Sequence, residues 1–217
     1  MKYVVFTIDC ISSKKMENVT EFLEQRVLKL NNDTLRNGSF LTDFKVLLGD
    51  EIQGVIKLDG EFVKNIRYIR EAFYPIKVRL GIGIGDIENE ENIEKKDPWK
   101  LNGSAFHNAR DSIKYLSKHA LFGKSGLSYL TSGSEAFDLL VNNQILLYDT
   151  ILERWRDKTY EAVYLKEKYG SFRKLDKING ISSSAYTKRA SVGNWSILEE
   201  FEKNIKIIIE EYKDLIE

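Results

Sequence analysis

Hydrophobic positions along the chain alternate between two periods. The N-terminal "YVVFTID" is a continuous apolar run ending in Asp9, the pattern of a buried strand. Met16, Val19, Leu23, Val27 and Leu30 then recur at steps of three and four, which predicts an amphipathic helix capped by Ser12 or Ser13. "NNDTLRNGS" reads as a loop. Two short apolar runs, "FKVLL" and "QGVIKL", flank Gly49-Asp50-Glu51 and predict a hairpin. Phe62, Ile66, Ile69 and Phe73 mark a second helix, and "IKVRLGIGIG" a central strand ending in glycines. A charged loop, Asp86 to Trp99, precedes a third helix in "NGSAFHNARDSIKYLSK". "ALFGKSGLSYL" is ambiguous and reads as short strands; "SEAFDLLVNNQILLYDTILERW" is a long amphipathic helix. The order β-α-β-β-α-β-α predicts an α+β fold, a palm-like or ferredoxin-like sandwich.

The character changes near residue 150. From Thr159 onward the pattern is helical, with turn signals at Gly170 and Asn179-Gly180. Two units are therefore expected: a palm-like domain over residues 1–150 and a helical module over residues 151–217.

Composition narrows the classes. The chain has 217 residues, and a hydrophobic fraction of 42% is enough for a real core. Lys plus Arg and Asp plus Glu number 33 each, so the chain as a whole is not a bulk polyanion binder, although a local basic patch is compatible with this balance. The one cysteine, Cys10, permits no intramolecular disulfide and reads as a small buried hydrophobe or, less simply, a reactive thiol. No segment approaches the roughly 20 apolar residues of a membrane helix. A cytoplasmic protein with no membrane partner is expected.

The acids at strand ends carry the candidate chemistry. Asp9 ends the first strand and Asp50 sits in the hairpin, and the inferred topology makes these strands neighbours. Two converging carboxylates repel, and a bound Mg²⁺ or Mn²⁺ would relieve this by taking hard oxygen ligands. Free backbone N–H groups at Ser12, Ser13 and Lys14, at the start of the first helix, could hold phosphate. The plainer alternative is that strand-end acids and polar bends are ordinary. The alternating glycines of "GIGIG" allow either a ligand or a packed helix to approach closely.

"TIDCIS", "LLGDEIQG", "VRLGIGIG" and "NGSAFHNAR", in that order, resemble the SatD family of bacterial proteins. The same landmarks look like the palm domain of class III nucleotide cyclases and GGDEF diguanylate cyclases. That resemblance implies Asp9 and Asp50 as metal ligands, with Glu51 as a further candidate. It puts His107 in the slot of a ribose-positioning Asn and Asp111 in that of an Arg that stabilises the reacting phosphate. Arg110 is one residue away, a rotation of about 100° on a helix. Lys45 stands one position from a base-reading Lys. The candidate nucleotide contacts are thus Ser12, Ser13, Lys14, Lys45, His107 and Arg110. An acid at position 111 would repel phosphate, so binding is expected more than turnover.

The C-terminal stretch has helix-turn-helix spacing. One helix carries Tyr160, Val163 and Tyr164, and a short second helix carries Phe172, Leu175 and Ile178. Ser182 then caps a third helix, "SSAYTKRAS", followed by Trp195. The stretch resembles the helix-turn-helix of sigma factor region 4. Between Arg154 and Arg189 basic residues outnumber acids by ten to four, an electrostatic footprint of DNA binding. Ser183, Ser184, Tyr186 and Thr187 would face base edges; Arg173, Lys188 and Arg189 would meet phosphates. A single recognition helix binds weakly, so a homodimer is expected. Three functions follow: a nucleotide- or metal-responsive DNA-binding regulator, a metal-dependent nucleotidyl cyclase or transferase with an interaction module, and a ligand-free scaffold.

Overall fold

In the computed structural model, residues 2–11, 18–47, 50–88, 90–93, 98–119, 127–177 and 180–212 are described. Among the described residues five strands form one mixed sheet: β1 (Tyr3–Cys10), β2 (Lys45–Val46), β3 (Glu51–Lys57), β4 (Val78–Gly85) and β5 (Ser128–Thr131). Their order is β2-β3-β1-β4-β5. The first three pairings are antiparallel, and only β4–β5 is parallel. Seven α-helices stand among the described residues: α1 (Val19–Asn31), α2 (Lys64–Phe73), α3 (Ser104–Lys118), α4 (Glu135–Leu152), α5 (Asp157–Tyr169), α6 (Ser183–Val192) and α7 (Trp195–Glu211). The α+β expectation holds.

Several boundaries move. Of "FKVLL", Lys45–Val46 pair as a strand among the described residues, Leu48 lying outside them, whereas β3 starts at Glu51, earlier than its apolar run. Residues 12–17, including Ser12, Ser13, Lys14 and Met16, lie outside the described residues, as does Gly49. The ambiguous stretch contributes one strand, β5, with residues 120–126 outside the described set. In the C-terminal stretch the second helix is a 3-10 helix, Phe172–Lys177, and Ile178 and Asn179 lie outside the described residues.

Both faces of β1 are buried, which is why its sequence reads as a continuous apolar run. Val4, Phe6 and Ile8 face α1, α2 and α4 in the main core; Tyr3, Val5 and Val55 face α3. The alternating glycines of β4 let α3 lie directly on the sheet. A Cβ on Gly83 would stand 2.0 Å from Ala105 O, and one on Gly81 2.2 Å from Ala109 O.

The main core runs without a break from Val4 through Trp155, Tyr160 and Trp195 to Ile209. Trp155 donates from Nε1 to Gly193 O at 2.7 Å and meets Trp195 edge-on. Buried ion pairs reinforce this junction. Arg67 of α2, 0% exposed, pairs with Glu202 of α7 at 3.1 Å and with Glu167 of α5 at 2.7 Å. Tyr148 of α4 donates to the same Glu202 at 2.6 Å, so four helices meet at one cation. Asp149, also fully buried, pairs with Arg70 at 2.7 Å and accepts from Ser128, fixing α4 to α2 and β5.

Candidate functional site

Strand register assembles the acidic end of the sheet. Asp9 stands opposite Glu51 on one side and Arg79 on the other. Directly opposed residues share a face, so all three point to the α3 side of the sheet. The next row is Lys45, Gln53, Thr7 and Gly81. Gln53 Nε2 donates to Glu51 Oε1 at 2.8 Å and to Thr7 Oγ1 at 3.1 Å, so Glu51 is oriented by a neighbour.

Arg79 was not among the expected site residues, yet it dominates here. Its Nη2 lies 2.6 Å from Asp9 Oδ2, with both side chains half-buried. Burial raises the Asp9 pKa, Arg79 opposes that rise, and the charge of Asp50 adds to it. Asp50 directly precedes Glu51, the register partner of Asp9. Their oxygens are of the type that Mg²⁺ or Mn²⁺ takes. In this arrangement Arg79 supplies the countercharge on Asp9 that a bound cation would otherwise provide. Among the described residues no group of three or more His, Cys, Asp or Glu is placed to hold a metal ion. Strand alternation held the signal for Arg79: it is two residues before Gly81, on the same face.

Cys10 lies on the opposite face and is buried. Burial, with the charges of Asp50 and Asp9, pushes its thiol up to about 12, so it is protonated at neutral pH. This favours the small-hydrophobe reading over the reactive one.

Helix α3 carries the other candidates. Ala105, Ala109, Ser112 and Leu116 face the sheet, so His107 and Asp111 lie on the outer side and are exposed. Asp111 pairs with Lys114 at 2.8 Å. Ala105 sits by Gly83 and Gly85, whereas Ile113 sits by Gly81, so α3 runs toward the acidic end. Phe106 packs with Val5 and Val55. Arg110, one turn further along the same flank, is exposed as well.

In the C-terminal stretch, α5, the 3-10 helix and α6 close on a small core of Ala162, Leu175 and Tyr186. Ser182 caps α6 by accepting from Ala185 N–H at 3.3 Å. Tyr186 is the clear correction: at 0% exposure its ring packs α6 onto α5 and cannot meet a base edge in this conformation. Ser183 is also engaged, donating its N–H and its Oγ to Asp176. Arg189 pairs with Glu161 at 3.3 Å. The remaining face of α6 carries Ser184, Thr187, Lys188, Ser191 and Val192, all exposed and all at helical spacing, with no acid among them. Arg173 and Lys174 are exposed nearby in sequence on the 3-10 helix.

The fold and these two surfaces define an α+β protein with a mixed sheet, helices on both of its faces, and a helical C-terminal segment packed into the same core. Within that class the chain belongs to the SatD family, whose family model matches residues 3–205. No curated protein and no solved structure matches it.

Proposed function

We propose that this SatD-family protein is a DNA-binding regulator in which a palm-like sheet domain senses a nucleotide or metal–nucleotide ligand. The observation that carries the DNA reading is the acid-free outer stripe of α6, with Arg173 and Lys174 exposed on the preceding 3-10 helix. In this reading α5, the 3-10 helix and α6 act as a helix-turn-helix. Ser184 and Thr187 read base edges, and Lys188 and Arg173 meet phosphate. Homodimerisation would supply two such helices. The palm reading is supported by the order β2-β3-β1-β4 with antiparallel neighbours throughout, the pairing of a split β-α-β sandwich.

The test is a mobility shift on genomic fragments at fixed ionic strength. Wild type is expected to bind, and Arg173→Ala with Lys188→Ala to weaken binding to all fragments and flatten its salt dependence. Unchanged binding by that variant would remove the α6 assignment. The second reading, a metal-dependent nucleotidyl cyclase or transferase, is favoured by the strand register that sets Asp9 opposite Glu51, the residue after Asp50. Cyclic product formed from ATP or GTP and lost in Asp50→Ala would establish it over the sensor. Absence of nucleotide binding, with Mg²⁺ or Mn²⁺ present, would exclude both roles for the sheet.

A further inference from the structure

A cavity of about 690 Å³ opens where α1 and α2 meet the start of α5. That volume is in the range of small-molecule sites. Four tyrosines line it: Tyr68, Tyr74, Tyr160 and Tyr164. Arg36 shows what such walls hold. Its guanidinium lies 4.5 Å from the Tyr68 ring centre and 4.7 Å from that of Tyr164, with Nη1 2.7 Å from Glu71. A planar cation between phenol faces and against a carboxylate is the arrangement that recognises organic cations.

Arg36 uses only part of the cavity. Tyr74 and Tyr160, with ring centres 5.8 Å apart, form a second aromatic wall. Four carboxylates, Asp33, Glu71, Asp157 and Glu161, face the space against two cations, Lys29 and Arg36. Glu71 is largely buried, and its Oε2 is already paired with Arg36 Nη1. Burial accordingly raises the Glu71 pKa, against the pull of Arg36.

We infer that this cleft binds a small organic cation, an amine or guanidinium, stacked on Tyr74 and paired with Asp157 and Glu161. The site stands independently of the DNA reading. One consequence rests on that reading: Glu161 also holds Arg189 of α6, so a cation that takes Glu161 frees Arg189 for phosphate.

The experiment compares butylguanidinium with butylurea, a neutral probe of nearly the same shape, by calorimetric titration of the full chain. Butylguanidinium is expected to bind with a Kd of ~1 mM or tighter, and butylurea about ten-fold weaker or more. Asp157→Asn with Glu161→Gln, both at exposed positions, should lose about ten-fold for the cation while melting as wild type does. Tyr74→Leu should weaken the cation likewise. Equal binding of the two probes, full binding by the double variant, or no binding of the cation would each overturn the site. In a parallel mobility shift, butylguanidinium should tighten DNA binding by wild type but not by Glu161→Gln. Cation binding without that gain overturns the coupling alone. Failure to bind DNA under any condition overturns the regulator reading, and the titration still decides the site.

Discussion

Replacing Arg67 with Met would test whether the buried charge cluster is the joint of the molecule. Arg67 is fully buried between Glu202, 3% exposed, and Glu167, 20% exposed. It also stacks 4.7 Å over Trp195. Met keeps most of the aliphatic volume and removes the charge. Glu167 retains Arg36 at 3.4 Å, but Glu202 keeps only the hydroxyl of Tyr148, leaving an uncompensated carboxylate in the core. Losing one partner of a buried pair costs ~3–5 kcal/mol. For a chain of this size each kcal/mol moves Tm by about 2–4 °C, so a fall of roughly 6–20 °C is expected. Adding Glu202→Gln should recover at least half of the loss, because a neutral amide still accepts from Tyr148. Urea unfolding gives both numbers. A single-variant loss below ~1 kcal/mol, or no rescue by the amide, would refute the reasoning. The pH profile adds a second reading. Burial works against the Glu167 carboxylate, but Arg67 and Arg36 outweigh it and hold its pKa below the ordinary 4.5. Its contribution is therefore complete above that value and is lost as pH falls through the lower folded value, a loss expected to shrink in Arg67→Met.

Other outcomes follow from the sheet. Gly83→Ala would drive a Cβ to 2.0 Å from Ala105 O and 2.3 Å from Ala109 N, backbone atoms that cannot swing aside, so urea unfolding should show a loss of about 3 kcal/mol. Cys10, its thiol raised to about 12, should be alkylated by iodoacetamide at neutral pH only as fast as the chain opens, with a rate that tracks denaturant. Burial raises the Asp9 pKa above 3.8, so the folded state binds the proton more tightly, and this group's contribution to stability falls as pH rises through that window; Asp9→Asn should flatten the slope in pH-dependent melting. Arg79→Ala removes the cation 2.6 Å from Asp9, and Mn²⁺ affinity by calorimetry should rise about ten-fold; an unchanged affinity would show that Asp9 takes no part in metal binding.

Periodicity located β1, β4 and the long helices because each buries a whole face or a whole strand. Short elements were less legible. Among the described residues β2 pairs over Lys45–Val46, and Glu51 joins β3 through backbone bonding that no apolar pattern announces. On α6 the alternation of Ser, Thr and Tyr looked uniformly polar, yet the hydroxyl-bearing ring of Tyr186 is the residue that fills the core. An amphipathic aromatic suits either side of a helix, and only the neighbours Ala162 and Leu175 settle which side it takes. On α3, the helical phase is fixed by where the β4 glycines admit the helix.

By itself the sequence determined the elements and a close approach over Gly81 and Gly83, leaving open whether a helix or a ligand takes it. It also placed Asp9 at a strand end. What the tertiary structure decided are relations between residues far apart in the chain: Asp9 with Arg79, Arg67 with Glu167 and Glu202, and the tyrosine cleft shared by α1, α2 and α5. Charges and rings act over a few ångströms, and sequence separation does not encode that distance until strand register and helix packing have closed it.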